Sequence, residues 1–307
     1  MHLSKNVHAC AISNQATIFG RFRSMINSNV LEFIMEAHDG LSAKIVAESG
    51  FRGIWASGLS ISTALGLRDA NEASWTEVVD VLDRMQESVS IPIMLDGDTG
   101  FGNFNNVRRL VQRLCTIGVA AVCIEDKTFP KTNSFIGDRQ PLASIAEFQG
   151  KIRAAKDSQL HDAFTVVARV EALIAGHGMD AALERAHAYC DAGADAVLIH
   201  SKKATADEVL QFAEQWQNRA PLVIVPTKYH ATPTSRYRDA SVSMVIWANH
   251  NLRAALQAMR SVTRRIQAAE AIADVEKDIA SVDDVFSLMN YQELEVAESR
   301  YLAGEER

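Results

Sequence analysis

Eight short apolar segments alternate with helical segments along this chain, and this alternation restricts the fold more than any other feature. The predicted strands cover residues 31–38, 51–55, 89–95, 119–124, 164–170, 194–199, 222–225 and 242–247. Strands that alternate with helices are typical of a parallel sheet covered by helices. Eight such units within 307 residues favour a closed barrel over an open sheet. We therefore predict an α/β fold, a (β/α)8 barrel of the TIM type.

Length and composition are consistent with a single domain. With 307 residues, 48% of them hydrophobic, the chain can bury a large core, and barrels of this size commonly form one domain. We predict one domain over residues 1–307, with a loose N-terminal extension at 1–15 and a helical C-terminal region at 250–302. The last helix, predicted for Asp283–Tyr301, either caps its own subunit or packs on a neighbouring subunit.

Charge and patterning argue against several classes of partner. The formal net charge of −7 gives no basic surface for nucleic acid or for an anionic membrane. The sequence has no apolar run of membrane-spanning length and no leader-like N-terminus. Its four scattered cysteines, Cys10, Cys115, Cys123 and Cys190, are typical of reduced thiols. We expect a cytoplasmic protein that acts on a small molecule.

Two aspartates directly follow the predicted strand 89–95. Asp96 and Asp98 are two residues apart, so on an extended backbone their carboxylates would point the same way and share one cation or its water shell. The glycines around them permit a tight turn. The structural alternative is a polar turn whose aspartates only cap backbone amides.

Polar side chains also follow other predicted strands, at the end of the barrel where such enzymes carry their catalytic groups. Acids placed close together repel one another and are costly to bury, so a divalent cation is their natural neutraliser. Oxygen ligands alone favour Mg²⁺ or Mn²⁺ over Zn²⁺. The candidates at these strand ends are Ser57, Asp69, Asp96, Asp98, Glu125, Arg169, Glu171 and His200.

Three of these features have both a functional and a purely structural interpretation. Arg169 lies within an apolar strand, where its guanidinium needs either a carboxylate of the site or an anionic ligand such as phosphate. His200 is either a core histidine or a catalytic one. The turn 55–59 is either an ordinary connection or a set of backbone amides, from Ser57 to Leu59, that bind a carboxylate or enolate oxygen.

The loop at residues 128–141 is longer than most connections in such a barrel. It carries a cation and an amide, Lys131 and Asn133, and Gly137 is a candidate hinge. Long ordered loops at this end of a barrel are often lids. The alternative is an ordinary surface loop.

Nine motifs together resemble the phosphoenolpyruvate mutase and isocitrate lyase superfamily, and its mutase branch most closely. The resemblance runs from about Thr17 to Leu302 and is highly specific. The motifs are EAHDGLSAKI (36–45), GIWASGLS (53–60), DANEASW (69–75), LDGDTGFGNFNN (95–106), EDKTFPKTNS (125–134), ARVEALIAG (168–176), HSKK (200–203), VPTKY (225–229) and WANHNLRA (247–254).

The resemblance implies a Mg²⁺-dependent isomerase that interconverts phosphoenolpyruvate and phosphonopyruvate in phosphonate biosynthesis. It further implies a homotetramer in which C-terminal helices are exchanged between subunits. Asp96 would hold Mg²⁺ directly, whereas Asp69, Asp98 and Glu125 would act mainly through its water shell.

The same resemblance assigns the remaining site residues. Arg169 and His200 would bind the phosphoryl group, joined by Lys131 and Asn133 when the loop closes. The amides of Ser57 and Gly58 would hold the pyruvyl oxygens, and Trp55 and Leu59 would line the pocket. No general base is implied.

Three alternatives stay open. A phosphonopyruvate hydrolase would share nearly all of these residues, but the resemblance implies a threonine in place of Asn133. A carbon–carbon lyase would carry a catalytic cysteine in the loop, where this chain has KTNS at 131–134. A catalytically silent binding protein on the same barrel would have gaps in the residue set, and the sequence shows none.

Overall fold

The computed structural model describes residues 18–134, 136 and 141–302, and it contains the predicted closed barrel. Eight parallel strands pair in sequence order, and β8 pairs with β1. The predicted (β/α)8 fold is therefore confirmed. The strands are β1 Glu32–Ala37, β2 Ile54–Ala56, β3 Ile93–Asp96, β4 Ala121–Glu125, β5 Thr165–Val170, β6 Ala196–Ile199, β7 Leu222–Ile224 and β8 Met244–Trp247.

The chain divides into two compact units, with the boundary between Leu252 and Arg253. The helix α10, His250–Ala269, begins in the first unit and ends in the second. The other helices of the first unit are α1 (described over 18–26), α2 Gly40–Glu48, α3 Gly58–Ala64, α4 Trp75–Ser88, α5 Phe104–Ile117, α6 Ile145–Ser158, α7 Gly178–Asp191, α8 Asp207–Trp216 and α9 Thr234–Asp239. None of the described helices is both long enough and apolar enough to cross a membrane.

Helix α5 shows how the sequence specifies these elements. Asn103 caps its first turn by accepting a hydrogen bond from the amide of Asn105 at 2.9 Å. Gly118 ends the helix in the left-handed conformation, with φ of 83°. Between these caps, the apolar side chains recur at helical spacing and are buried against the barrel. They are Val107, Leu110, Val111 and Leu114.

The structure corrects the predicted segmentation at three places. Helix α3 follows β2 directly, where the sequence predicts a turn and a loop, and α9 lies between β7 and β8, where the sequence predicts no element. The single helix predicted for Asp283–Tyr301 is wrong. Two helices replace it, α11 Val282–Leu288 and α12 Tyr291–Tyr301, because Asn290 between them has a left-handed φ of 56°.

The second unit exposes many apolar side chains. Among the described residues of this unit, Val275 is the one apolar residue that is buried. Large exposed apolar surfaces are typical of regions that pack on another chain. The homotetramer with exchanged helices, and the single domain over 1–307, stay predictions. The exposed side chains are Leu256, Met259, Ile272, Ile279, Val282, Val285, Phe286, Met289, Tyr291, Leu294, Val296, Tyr301 and Leu302.

Candidate active site

The C-terminal ends of the strands surround a cavity of about 60 Å³. A larger cavity of about 560 Å³ lies at the opposite end of the barrel, but among the described residues that line it Arg238 is the one charged side chain. The smaller cavity combines acids, cations and amides, and it is the candidate site. It is lined by Trp55, Ser57, Leu59, Asp69, Asp96, Lys131, Asn133, Ser134, Arg169, His200, Val225, Thr227, Ala248 and Asn249.

Asp96 and Asp98 converge, but not for the predicted reason. Strand β3 ends at Asp96, and Asp98 has a left-handed φ of 50°, so the prediction of an extended backbone through both is wrong. A Cβ atom added to Gly58 would lie 3.2 Å from both Asp96 Oδ2 and Asp98 Oδ1. These two oxygens therefore face the same small space beside Gly58. A left-handed aspartate costs about 1–3 kcal/mol, which is typical of strain at a functional site.

The turn at 55–59 places Trp55 and Leu59 in the cavity wall. The amide of Ser57 donates to Ala37 O at 3.3 Å, and the amide of Gly58 donates to Asp96 Oδ2 at 3.2 Å. Both amides thus have acceptors within the protein. Their binding of a pyruvyl oxygen stays a prediction.

Residues 128–134, which we name the lid segment, lie against the acids; closure of the predicted lid 128–141 on a ligand stays a prediction. Lys131 Nζ lies 2.8 Å from Asp69 Oδ1 and 2.6 Å from Asp98 Oδ1. Asn133 Nδ2 donates to Asp69 Oδ2 at 2.6 Å. The structure therefore brings the two predicted lid residues to the predicted acids. The proposed hinge, Gly137, lies outside the described residues, as does the N-terminal extension at 1–15.

On the other side of the cavity, Arg169 binds a buried glutamate. Arg169 Nε lies 2.5 Å from Glu171 Oε1 and 3.4 Å from Glu125 Oε2. Glu125 on β4 lies beside Arg169 in the register of β4 and β5. His200 Nδ1 lies 2.9 Å from Glu171 Oε1 and 2.8 Å from Arg169 Nη2. The predicted carboxylate partner of Arg169 is therefore present. Arg169 and His200 both line the cavity.

Burial and local charge set the protonation of the acids. Burial raises the pKa of Asp96, and it raises the pKa of Asp98 to about 7, against the opposing charge of Lys131. At Asp69 burial also disfavours the charged form, but Lys131 and Asn133 outweigh it and lower the pKa. Burial thus opposes negative charge at Asp96 and Asp98, and further positive charge in the cavity would favour their ionised forms.

The acids have the chemistry of a Mg²⁺ site that keeps several waters. Asp96, Asp98 and Glu125 are buried, and Glu125 Oε1 accepts no hydrogen bond from the described residues. No three His, Cys, Asp or Glu side chains of the described ranges stand close enough to hold an ion by themselves. A donor set of this kind suits Mg²⁺, which commonly binds proteins through one or two carboxylates and retains water.

Sequence reasoning missed several polar residues at the site, namely Lys127, Ser134, Thr227 and Asn249. Lys127 is buried and donates to Thr132 O at 3.0 Å and to Ser134 Oγ at 2.6 Å, which ties the lid segment to the barrel. Ser134 in turn donates to Glu171 Oε2 at 2.8 Å. Asn249 lines the cavity after β8. The signal for Lys127 was a lysine two residues after a buried strand. The sequence carries no comparable signal for Ser134.

The profile of the phosphoenolpyruvate phosphomutase family matches residues 22–267, most of the chain. The chain belongs to this family. A phosphoenolpyruvate phosphomutase of Tetrahymena pyriformis is 55% identical over 283 residues, which cover 92% of this chain and 94% of the relative. The mutase profile and this relative support the branch that the motifs favoured.

Solved structures agree with this membership. The crystal structure of a phosphoenolpyruvate phosphomutase from Streptomyces platensis subsp. rosaceus superposes with a TM-score of 0.91 at 44% identity, covering 92% of this chain and 99% of that one. A phosphonopyruvate hydrolase in complex with oxalate and Mg²⁺ has a TM-score of 0.87 at 40% identity, covering 92% and 99%. The phosphomutase family and the hydrolase thus share one barrel, so overall fold alone does not separate their activities.

In this member of the phosphomutase family, Glu171 is expected to be a strong determinant of stability. Burial favours its neutral form, but Arg169 and His200 outweigh burial and hold the pKa of Glu171 well below its ordinary value. Glu171→Gln leaves the Arg169 charge without its buried partner and should lower the free energy of unfolding by about 3 kcal/mol at pH 7. Urea titration measures this difference.

The sign of the pH dependence provides a second check. Because the folded-state pKa of Glu171 is depressed, its stabilisation is present above the unfolded pKa of about 4.3 and is lost as pH falls below it. The difference between the wild type and Glu171→Gln should therefore shrink below that pH. The control is Asp83→Asn, which breaks a half-exposed ion pair with Arg113 and should cost less than about 1 kcal/mol. Equal effects of the two variants would contradict the assignment.

Proposed function

We propose that this chain is a phosphoenolpyruvate mutase, which moves a phosphoryl group between the carbon and the oxygen of pyruvate enolate. The observation that carries the proposal is that one small cavity has two chemically different sides. Asp96 and Asp98 lie on one side, and Arg169 and His200 lie on the other. An acid cluster suits a cation that binds an enolate, and the opposite half suits a phosphoryl group.

Mg²⁺ is the proposed cofactor, since the acids described above suit it and the related hydrolase contains it. Asp96 would hold it directly, with Asp69, Asp98 and Glu125 acting through its water shell. When bound, Mg²⁺ would supply positive charge that favours the enolate form of pyruvate.

The residues of the chain itself position the reactants. In phosphonopyruvate the phosphorus–carbon bond breaks with its electron pair on the enolate, and the enolate oxygen then forms a bond to phosphorus. Arg169 and His200 bind the phosphoryl oxygens during this exchange, which has a loose, metaphosphate-like transition state. The amides of Ser57 and Gly58 would hold the pyruvyl oxygens in a pocket lined by Trp55 and Leu59. The enolate oxygen then meets the phosphorus without free diffusion.

Exclusion of water distinguishes rearrangement from hydrolysis. Lys131 and Asn133 of the lid segment line the cavity and are held at its edge by Asp69. Asn133 would also hold phosphoryl oxygens and fill the path that water would take. Phosphonopyruvate hydrolase activity remains the competing outcome, since the hydrolase shares the barrel.

Phosphorus NMR of phosphonopyruvate turnover tests the proposal. The unmodified protein with Mg²⁺ should accumulate phosphoenolpyruvate and little inorganic phosphate, because recapture by the enolate oxygen outruns attack by water. Asn133→Ala should slow the rearrangement, since it removes a contact made in the transition state. Stoichiometric pyruvate and phosphate from the unmodified protein, with no phosphoenolpyruvate intermediate, would assign the hydrolase activity instead.

The cytoplasmic location and the homotetrameric assembly belong to the same proposal. The exposed apolar side chains of the second unit support the assembly.

A further inference from the structure

Asn71 makes two hydrogen bonds that link the lid segment to the acid cluster. Its Oδ1 accepts from the backbone amide of Lys131 at 2.7 Å, and its Nδ2 donates to Asp98 Oδ2 at 2.8 Å. Lys131 Nζ contacts the other oxygen of Asp98, Oδ1, at 2.6 Å. Asn71, Asp98 and Lys131 therefore form a closed ring in which each residue contacts the other two.

The orientation of the Asn71 amide is fixed by its neighbours. A backbone N–H can only donate, so the Lys131 amide must face the side-chain oxygen of Asn71. A carboxylate can only accept, so Asp98 must face the NH2 group. Turning the amide over would place donor against donor and acceptor against acceptor.

The backbone at Asn71 restricts which residue can make this link. Its φ of 56° is left-handed, a conformation that Gly, Asn and Asp adopt most readily. Glycine has no side chain to bridge with, and an ionised aspartate has no donor for Asp98. Asparagine alone among these three combines the backbone conformation with one donor and one acceptor.

We infer that Asn71 is a positioning residue that couples closure of the lid segment to the metal-binding geometry of Asp98. This inference rests on the proposed function, because it assumes that Asp98 serves a metal site. The amide that holds the Lys131 backbone also orients the Asp98 carboxylate, so closing the lid and binding the cation favour one another. By linkage, the loss of Asn71 must weaken both.

Asn71→Gly isolates this role, because glycine keeps the left-handed backbone and removes only the amide. Two readouts need no turnover. Trypsin cleavage after Lys131, followed by mass spectrometry in the presence of Mn²⁺ and oxalate, reports opening of the lid segment. Binding of Mn²⁺ to the free protein, followed by electron paramagnetic resonance, reports the metal site.

We expect Asn71→Gly to accelerate cleavage after Lys131 about tenfold, since the segment loses one of its anchors while Lys131 Nζ keeps its acids. We expect Mn²⁺ affinity to fall about tenfold, the lower end of the range for residues that act on a metal from outside its direct ligands. The matched control is Asn218→Gly, since Asn218 is exposed, has a left-handed φ of 55° and precedes β7 at the opposite end of the barrel. It should change neither readout.

Cleavage and Mn²⁺ affinity of Asn71→Gly within twofold of the wild type would reduce Asn71 to a turn residue and overturn the inference. Faster cleavage with unchanged Mn²⁺ affinity would overturn the coupling and leave a lid anchor. Neither result touches the proposed function, which phosphorus NMR of the unmodified protein decides separately.

Discussion

Asp96→Ala is expected to lower kcat/KM for phosphonopyruvate about a thousandfold, even with excess Mg²⁺. Asp96 ends β3 in the cavity wall and shares the space beside Gly58 with Asp98. As the direct ligand it would place the cation whose charge stabilises the enolate, and such stabilisation contributes several kcal/mol, about a factor of ten in rate for each 1.4 kcal/mol. Steady-state kinetics over a Mg²⁺ titration measure the loss.

The wild type provides the complementary experiment. Chelation of divalent ions should abolish its activity, and added Mg²⁺ should restore it. Asp80→Ala is the control, because Asp80 is exposed on α4, away from the cavity. Full activity of Asp96→Ala, or activity of the wild type that survives complete chelation, would refute the metal assignment.

Much of the fold and of the site follows from patterns local in sequence. Apolar strands alternating with helices specify the barrel, and a barrel brings the ends of all its strands together. Asp96, Arg169 and His200 could therefore be assigned to one cavity from their positions after or within apolar segments. Helices α2, α5 and α7 likewise end just before glycines that have a positive φ, which is a local signal for a helix end. These glycines are Gly50, Gly118 and Gly193.

The remaining features depend on contacts that local patterns do not encode. Asp98 reaches its position through a left-handed backbone, a conformation that aspartate adopts more readily than most residues but that the sequence pattern did not indicate here. Ser134 gains its role from Arg169 and Glu171, which are 35 and 37 residues away in the sequence. Asn71 gains its role from Asp98 and Lys131, which are 27 and 60 residues away. The break in the last helix likewise depends on a left-handed Asn290.

Arg169→Lys is expected to lower kcat/KM several hundredfold although it keeps the positive charge. In the structure Arg169 Nε binds Glu171. Arg169 Nη2 lies 3.0 Å from Ser134 Oγ and 2.8 Å from His200 Nδ1. The guanidinium of arginine presents its N–H groups in a fixed planar fork. A lysine side chain has one nitrogen and cannot bind all of these partners and a phosphoryl oxygen at once. The loss of one such preorganised contact typically costs about 10²–10³ in kcat.

The size of this loss decides between the two interpretations of Arg169. If Arg169 only neutralises Glu171, lysine should retain most of the activity, because the buried charge is still compensated. If Arg169 also binds the phosphoryl group, kcat/KM should fall while the far-UV spectrum and the urea midpoint stay close to those of the wild type. Arg219→Lys is the matched control, since Arg219 pairs with Asp191 on the surface and should tolerate the change. Retention of half of the wild-type kcat/KM in Arg169→Lys would leave Arg169 as an ion-pair partner of Glu171 and remove it from the phosphoryl site.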